Sequence, residues 1–258
     1  MEESAARLTP LRVLASPAAI GDHLAEQLLQ RIEHARRFGK RFLLGCPTGR
    51  TPRSVYEELA RHKRDLSHVV FVMMDEYVPS AGEPWSCHGF AQRHMPFATE
   101  IWFPDVNDPA AYDRRIAEAG GLDFFLLASG ATDGHVAFNQ PGAPRDSRTR
   151  VVTLSEATRR DNVKTSPAFG SFENVPPHGV TVGIATIAAA REAVMVVWGE
   201  SKRLTLQRIR AADRYDPDWP ATVIHECPIR EIVCDRDSCH PERSEGSVFS
   251  GERSGSAR

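Results

Sequence analysis

Along the chain, short runs of β-branched and other apolar residues alternate with longer stretches in which apolar positions recur every three or four residues. Leu11 to Ala15 reads as a strand. Pro17 then opens a helix through about Phe38, with Ile20, Leu24, Leu28 and Ile32 on one face. Arg41 to Gly45 is a second strand, followed by a Gly/Thr/Pro turn and a helix from Pro52 to about Arg61. Val69 to Met74 is an apolar run closed by Asp75 and Glu76. Ser86 to Met95 and Pro109 to Ala119 read as helices, and Asp123 to Ala128 as a buried strand ending in Ser129 and Gly130. Strands near Val180 to Ile184 and Val194 to Trp198, a helix from Ser201 to Ala211 and a strand from Ile229 to Cys234 complete the series.

This alternation predicts an α/β fold with a mostly parallel sheet covered on both faces. In such sheets ligands bind beyond the carboxyl ends of the strands. Three stretches of chemically useful residues fall there, after Gly45, after Met74 and after Ala128. Residues far apart in the chain are therefore expected to meet in one pocket. Residues 1–238 are read as a single domain. From Cys239 to Arg258 the composition shifts to Ser, Gly, Glu and Arg, and Glu-Arg-Ser recurs at Glu242 and Glu252. That stretch has too little apolar content to repay ordering and is expected to be a disordered tail.

Composition narrows the class of function. At 258 residues the chain can bury a sizeable core. A net charge of -2 gives no reason to expect a nucleic-acid or membrane partner. Met1 to Pro10 has no apolar core of the kind a signal peptide needs. The apolar stretch from Val180 to Ala190 stops at Arg191, too short to span a bilayer. Five cysteines at irregular spacing fit reduced thiols, hence a cytoplasmic location. Ten histidines without an H-E-x-x-H pattern give no expectation of a metal site.

Four stretches carry candidate chemistry. In Gly45-Cys46-Pro47-Thr48-Gly49-Arg50-Thr51-Pro52, glycines permit a tight turn before a helix whose N-terminus can hold phosphate. Thr51 is placed to cap that helix, and an ordinary capped turn would use the same residues. Asp75, at the end of a strand and shielded from water, suits a general base, although a loop Asp capping the next helix would look alike. In Asp133-Gly134-His135-Val136-Ala137-Phe138-Asn139-Gln140, His135 lies near Asp133 and can be fixed in one tautomer to move protons near neutral pH. Arg159 and Lys202 can each pair with a phosphate dianion, though taken singly each reads as surface charge.

Together these residues resemble the glucosamine-6-phosphate deaminase (isomerase) family. The likeness runs from about Leu11 to Cys234. It rests on Pro47-Thr48-Gly49-x-Thr51-Pro52, Met74-Asp75-Glu76-Tyr77, Asp133-Gly134-His135-x-Ala137-Phe138-Asn139, Ser147-Arg148-Thr149-Arg150, Thr181-Val182-Gly183 and Gly199-x-Ser201-Lys202. The resemblance implies a Rossmann-like three-layer sandwich. It also implies conversion of glucosamine 6-phosphate and water to fructose 6-phosphate and ammonia, with no cofactor and no metal. Asp75 is then the base that moves a proton between C2 and C1, and His135, held by Asp133, helps open the sugar ring. Gly49, Arg50 and Thr51, with Arg159 and Lys202, hold the phosphate. Residues from about 155 to 175 form a mobile lid.

The chain departs from the family pattern at several points. Gln140 stands where family deaminases carry Glu, and is expected to orient His135 without supplying a charge. Arg50 replaces a small residue in the phosphate loop. Ala143, Pro144 and Val152 occupy positions that differ in the allosteric hexameric members, so any oligomer is expected not to be that hexamer. The partner implied is a small phosphorylated amino sugar. Two other readings remain: a 6-phosphogluconolactonase-type hydrolase, which usually carries Asp-Glu-Arg where Asp75-Glu76-Tyr77 stands, and a non-catalytic sugar-phosphate sensor.

Overall fold

The computed structural model describes residues 8–80 and 83–239. A first strand, β1 (Leu11–Leu14), leads into the 21-residue helix α1 (Pro17–Arg37). Ser16 caps that helix by accepting from the Ala19 amide at 3.2 Å, and Pro17 supplies a preset φ at its first position. The predicted spacing becomes a buried stripe of Ile20, Leu24, Leu28 and Ile32. Strand β2 (Phe42–Cys46), helix α2 (Arg53–Arg61) and strand β3 (Val69–Met73) follow. After them come β4 (Asp75–Val78), α3 (Cys87–His94), β5 (Ile101–Trp102), α4 (Pro109–Glu118) and β6 (Phe124–Ala128). The second half contains β7 (Arg150–Thr153), α5 (Glu156–Thr165), β8 (His178–Thr181), α6 (Ile184–Ala188) and β9 (Glu192–Val197). It closes with α7 (Arg203–Ala211), β10 (Ile229–Asp235) and the short α8 (Arg236–Cys239).

Seven strands form one sheet in the order β1-β10-β9-β6-β2-β3-β5, with every pair parallel. Because successive side chains alternate, the sheet buries two faces. Leu43, Val70, Val72, Phe125 and Leu127 pack against Tyr112, Ile116, Ile187, Leu206 and Ile209 of α4, α6 and α7. Phe42, Leu44, Phe71, Phe124 and Leu126 pack against α1, α2 and α3 through Leu24, Leu28, Tyr56, Leu59 and Phe90. Each such buried side chain contributes roughly 1.5–3 kcal/mol. The result is an α/β sandwich of helix, mostly parallel sheet and helix. Among the described residues, no helix is long and apolar enough to cross a membrane.

Two details differ from the sequence reading. The strand expected at Val180–Ile184 lies at His178–Thr181, outside the main sheet, and Ile184 instead begins α6. It forms a second, antiparallel sheet in the order β4-β8-β7. Asp75 and Glu76, read as the end of a parallel strand, open β4 of this small sheet. A single residue, Met74, joins the two sheets: its amide donates to the Cys46 carbonyl and its carbonyl accepts from the Val182 amide. The stretch read as a tail starts at Cys239, which here closes α8; positions 240–258 lie outside the described residues.

Candidate active site

The carboxyl ends of β2, β3 and β6 open onto one cavity of about 790 Å³. Pro47 to Thr51 line it from β2, Met74 and Asp75 from β3 and β4, and Ser129 to Thr132 with His135 from beyond β6. Lys202 enters from the turn that precedes α7, and Asp161, Asn162 and Lys164 from α5. Parallel strands place their carboxyl ends side by side, so three distant motifs converge without any long loop.

Asp75 sits at the seam between the two sheets and is 5% exposed. Burial pushes its carboxyl up to about 7 from an ordinary value of 3.8. The Cys87 thiol donates to its Oδ1 at 3.3 Å. The neighbouring Glu76 serves the structure: its carboxylate accepts from the amides of Tyr77, Cys87 and His88 at 2.7–3.0 Å and from the His88 ring at 2.6 Å. It thereby anchors the first turn of α3, which in turn presents Cys87 to Asp75. Two adjacent carboxyls thus take different roles, one bound by many donors and one facing the cavity.

His135 lies 2.7 Å through Nδ1 from Asp133 Oδ1, which also accepts from the His135 amide at 3.1 Å. Burial opposes ionisation of Asp133, but the bonds from His135 outweigh it and bring the carboxyl down to about 2. With Nδ1 held by a carboxylate, Nε2 is left as the proton-moving atom. Gly130 is required here by sterics: a Cβ on it would lie 2.3 Å from His135 Nδ1 and 2.5 Å from Asp133 Oδ1.

In the turn after β2, Gly49 takes a φ of +86°, open to glycine without strain. Pro52, not Thr51, occupies the position before α2, and no side chain caps that helix. Thr51 and Arg50 line the cavity. Lys202 donates to the Ser129 carbonyl, and burial lowers its amine to about 8.

Two candidates lie elsewhere. Arg159 donates to the carbonyls of Val175 and Phe172 at 2.7–3.2 Å and stacks over the Phe172 ring at 4.2 Å. It ties the chain after α5 back onto that helix and does not line the cavity. Gln140, expected to orient His135, donates through Nε2 to the Thr153 carbonyl at 2.8 Å and accepts at Oε1 from the Ser155 amide, with the Thr158 hydroxyl 3.1 Å away. It reaches His135 only through Thr158 and Asp133.

Trp85, Arg53, Arg93 and His94 on the cavity wall, and Thr158 beside Asp133, went unnoticed in the sequence. Trp85 stacks on Phe169, whose ring also meets Tyr77 edge-on at 5.2 Å; Phe138 completes this aromatic group. Arg53 and Arg93 add positive charge to the wall, and burial beside them holds the His94 ring below its ordinary value. Thr158, fully buried, touches Asp133. Trp85, Arg53, Arg93, His94 and Thr158 belong to none of the motifs, and His94 and Arg93 look like ordinary residues of a last helical turn. Among the described residues, no group of three or more His, Cys, Asp or Glu is placed to hold a metal ion.

The model of the family described as glucosamine-6-phosphate isomerases/6-phosphogluconolactonase matches residues 15–233. Glucosamine-6-phosphate deaminase of an Exiguobacterium species is 35% identical over 224 residues, covering 82% of this chain and 85% of that protein. The Rhodopirellula baltica protein of the same name is 38% identical over 212 residues, 75% of this chain and 81% of that one. A solved monomeric glucosamine-6-phosphate deaminase superposes with a TM-score of 0.79 at 26% identity, covering 89% of this chain and 98% of its own. The 6-phosphogluconolactonase from Trypanosoma cruzi shares the fold, with a TM-score of 0.71 at 19% identity over 90% of this chain and 96% of its own. The chain belongs to the glucosamine-6-phosphate isomerase/6-phosphogluconolactonase family.

Proposed function

We propose that the chain deaminates and isomerises an amino-sugar phosphate, converting glucosamine 6-phosphate and water to fructose 6-phosphate and ammonia. One observation carries this reading: a buried carboxyl near its half-ionised state, a His–Asp pair and a buried lysine line the same cavity. His135 gives a proton to the ring oxygen as the C1 hydroxyl loses one, and the ring opens. Asp75 then takes the C2 proton and returns it to C1, passing through an enolamine. Water adds to the resulting imine at C2, and ammonia leaves. Lys202, with Gly49, Arg50 and Thr51, holds the phosphate, so binding energy far from C2 orients the reacting carbons. A dianion beside Lys202 would favour its charged form again.

The lid reading also belongs here. Residues 155–175 contain α5 and a 3-10 turn at Pro167–Phe169, and their movement would admit substrate and then exclude water. Asp75-Glu76-Tyr77 and the deaminase relatives favour amine release over lactone hydrolysis. The test is ammonia release from glucosamine 6-phosphate, repeated with galactosamine 6-phosphate and with 6-phosphogluconolactone. Ammonia from an amino sugar phosphate supports the proposal. Turnover of the lactone alone would move the chain to the hydrolase reading, and binding of sugar phosphates without turnover would make it a sensor.

A further inference from the structure

The lid helix touches the loop that carries Asp133 at two points. Thr158 of α5 donates through its hydroxyl to Asp133 Oδ2 at 3.0 Å. One turn further along, Asp161 accepts from the Thr132 hydroxyl at 2.8 Å. Asp133 Oδ1 is already taken by His135, so among the described residues Thr158 is the donor to Oδ2. A threonine hydroxyl has one proton, and here two acceptors face it: Asp133 Oδ2 and Gln140 Oε1 at 3.1 Å. The carboxylate is the stronger acceptor, so the neutral amide concedes the proton to it. Ser155, which caps α5, donates its own hydroxyl to Thr158 at 3.0 Å and so fills the acceptor side of the oxygen.

From this geometry we infer that Thr158 is a positioning residue for the His135–Asp133 pair, and that the pair is fully held only while α5 is docked over the cavity. Gln140 is matched to this arrangement. A glutamate there would set a second anion against the same single proton and would lose the donor to the Thr153 carbonyl. Ring opening is thereby coupled to lid position, so the acid–base pair is assembled in the state that excludes water. The contact itself is independent of the reaction, whereas its kinetic consequence rests on the deaminase reading. Titratable groups facing Asp133 are His135 on its own loop and Lys202 from the turn before α7, with Asp161 on α5 close to Lys202.

The experiment compares Thr158→Val, which keeps the shape and removes the donor, with Thr158→Ser, which restores it, after thermal melts show each folded. Thr158→Ala replaces the valine variant if that one melts early. Carbon-13 titration of the Asp133 carboxyl is expected to move upward from about 2 in the valine variant and to return in the serine variant. On cyclic glucosamine 6-phosphate, kcat is expected to fall about tenfold in the valine variant, with KM within about twofold and with rescue by serine. An unchanged Asp133 titration in Thr158→Val overturns the assignment, and so does parental kcat in that variant when the parent releases ammonia. If the parent releases no ammonia, the deaminase reading fails, and the Asp133 titration still decides the role of Thr158.

Discussion

Asp75 is a carboxyl taken out of water, and two consequences follow from its position. Its proton is lost near 7 in the fold and near 3.8 in the open chain, so the folded state holds more protons between those values. Stability from this group is therefore full below about pH 3.8 and is lost as pH rises through 7. Replacing it by a neutral isostere removes that cost, as often happens where function needs a strained group. Asp75→Asn should raise the melting temperature relative to the parent at pH 8 and change it little at pH 4. The same variant should lose roughly 10²–10⁴-fold in turnover, with substrate affinity within a few-fold. Wild-type turnover in Asp75→Asn would remove it as the base. For the parent, kcat/KM should climb with pH through about 7 as Asp75 ionises and fall again above about 8 as free Lys202 loses its proton. Gln140 makes a second prediction at this scale. Because its amide donates to Thr153 and its Oε1 lies beside the Thr158 hydroxyl that serves Asp133, Gln140→Glu should lower stability by about 1 kcal/mol and lower turnover too. A gain in turnover would mean that a carboxylate at this position acts on His135 directly.

Among the elements, what could be read in the sequence follows from period and length. Strands β2, β3, β6 and β9 are runs of buried apolar residues, and α1 has a long apolar stripe, so the main sheet and its cover were readable. The small sheet was not. Strand β4 begins one residue after β3 with no turn signal between them, and β7 alternates between half-buried and exposed positions like a loop. Strand β5 is two residues long. Helix α5 reads Glu-Ala-Thr-Arg-Arg-Asp-Asn-Val-Lys-Thr, polar on every face, so no apolar period betrays it; its Ser155 cap was its one local signal. Candidate residues carried by motifs at strand ends lie on the cavity as the pattern suggests, whereas Thr158 and Cys87 make contacts that arise only once α5 and α3 are docked. Such a polar helix needs an external anchor, and Phe169 supplies one. Its ring is buried among Tyr77, Trp85 and Phe138, just beyond α5. Phe169→Ala should lower the free energy of lid opening by about 3 kcal/mol. Hydrogen exchange should then quicken across 156–175 while β2, β6 and β9 keep their protection. Uniform loss of protection across the main sheet would show instead that Phe169 belongs to the global core.

At the scale of the whole molecule, a chain of net charge -2 gathers Arg50, Arg53, Arg93, Lys164 and Lys202 around one cavity. Facing them on the same wall are Asp75 and Asp161. Of these cations, Lys202 is the one whose burial depresses its charge most clearly, to about 8, so it gains most from a bound anion. A ligand that binds the folded state alone stabilises it by mass action. Fructose 6-phosphate at a hundred times its Kd should add about 2.7 kcal/mol, which for a chain of this size is a rise of about 5–10 °C in melting temperature. Fructose without the phosphate should give little shift at the same concentration, because the cationic wall has nothing to hold. Lys202→Ala removes one charge-assisted contact, a loss of roughly 1.5–3 kcal/mol in affinity. At the parent's ligand concentration the ligand is then between about eight times and about half its new Kd, and the stabilisation falls to about 0.3–1.3 kcal/mol. Each variant is read against its own unliganded melt, so any change from removing a buried cation cancels. Arg159→Ala separates the clamp from the lid: Arg159 holds the carbonyls of Phe172 and Val175 rather than the cavity wall. It should shift the ligand-induced rise less than Lys202→Ala while quickening exchange at 172–175. An equal loss in both variants would mean that Arg159 swings into the cavity when phosphate arrives. An undiminished rise in Lys202→Ala would take this lysine out of the phosphate site and leave the loop at Gly49–Thr51, with Arg50, as its main support.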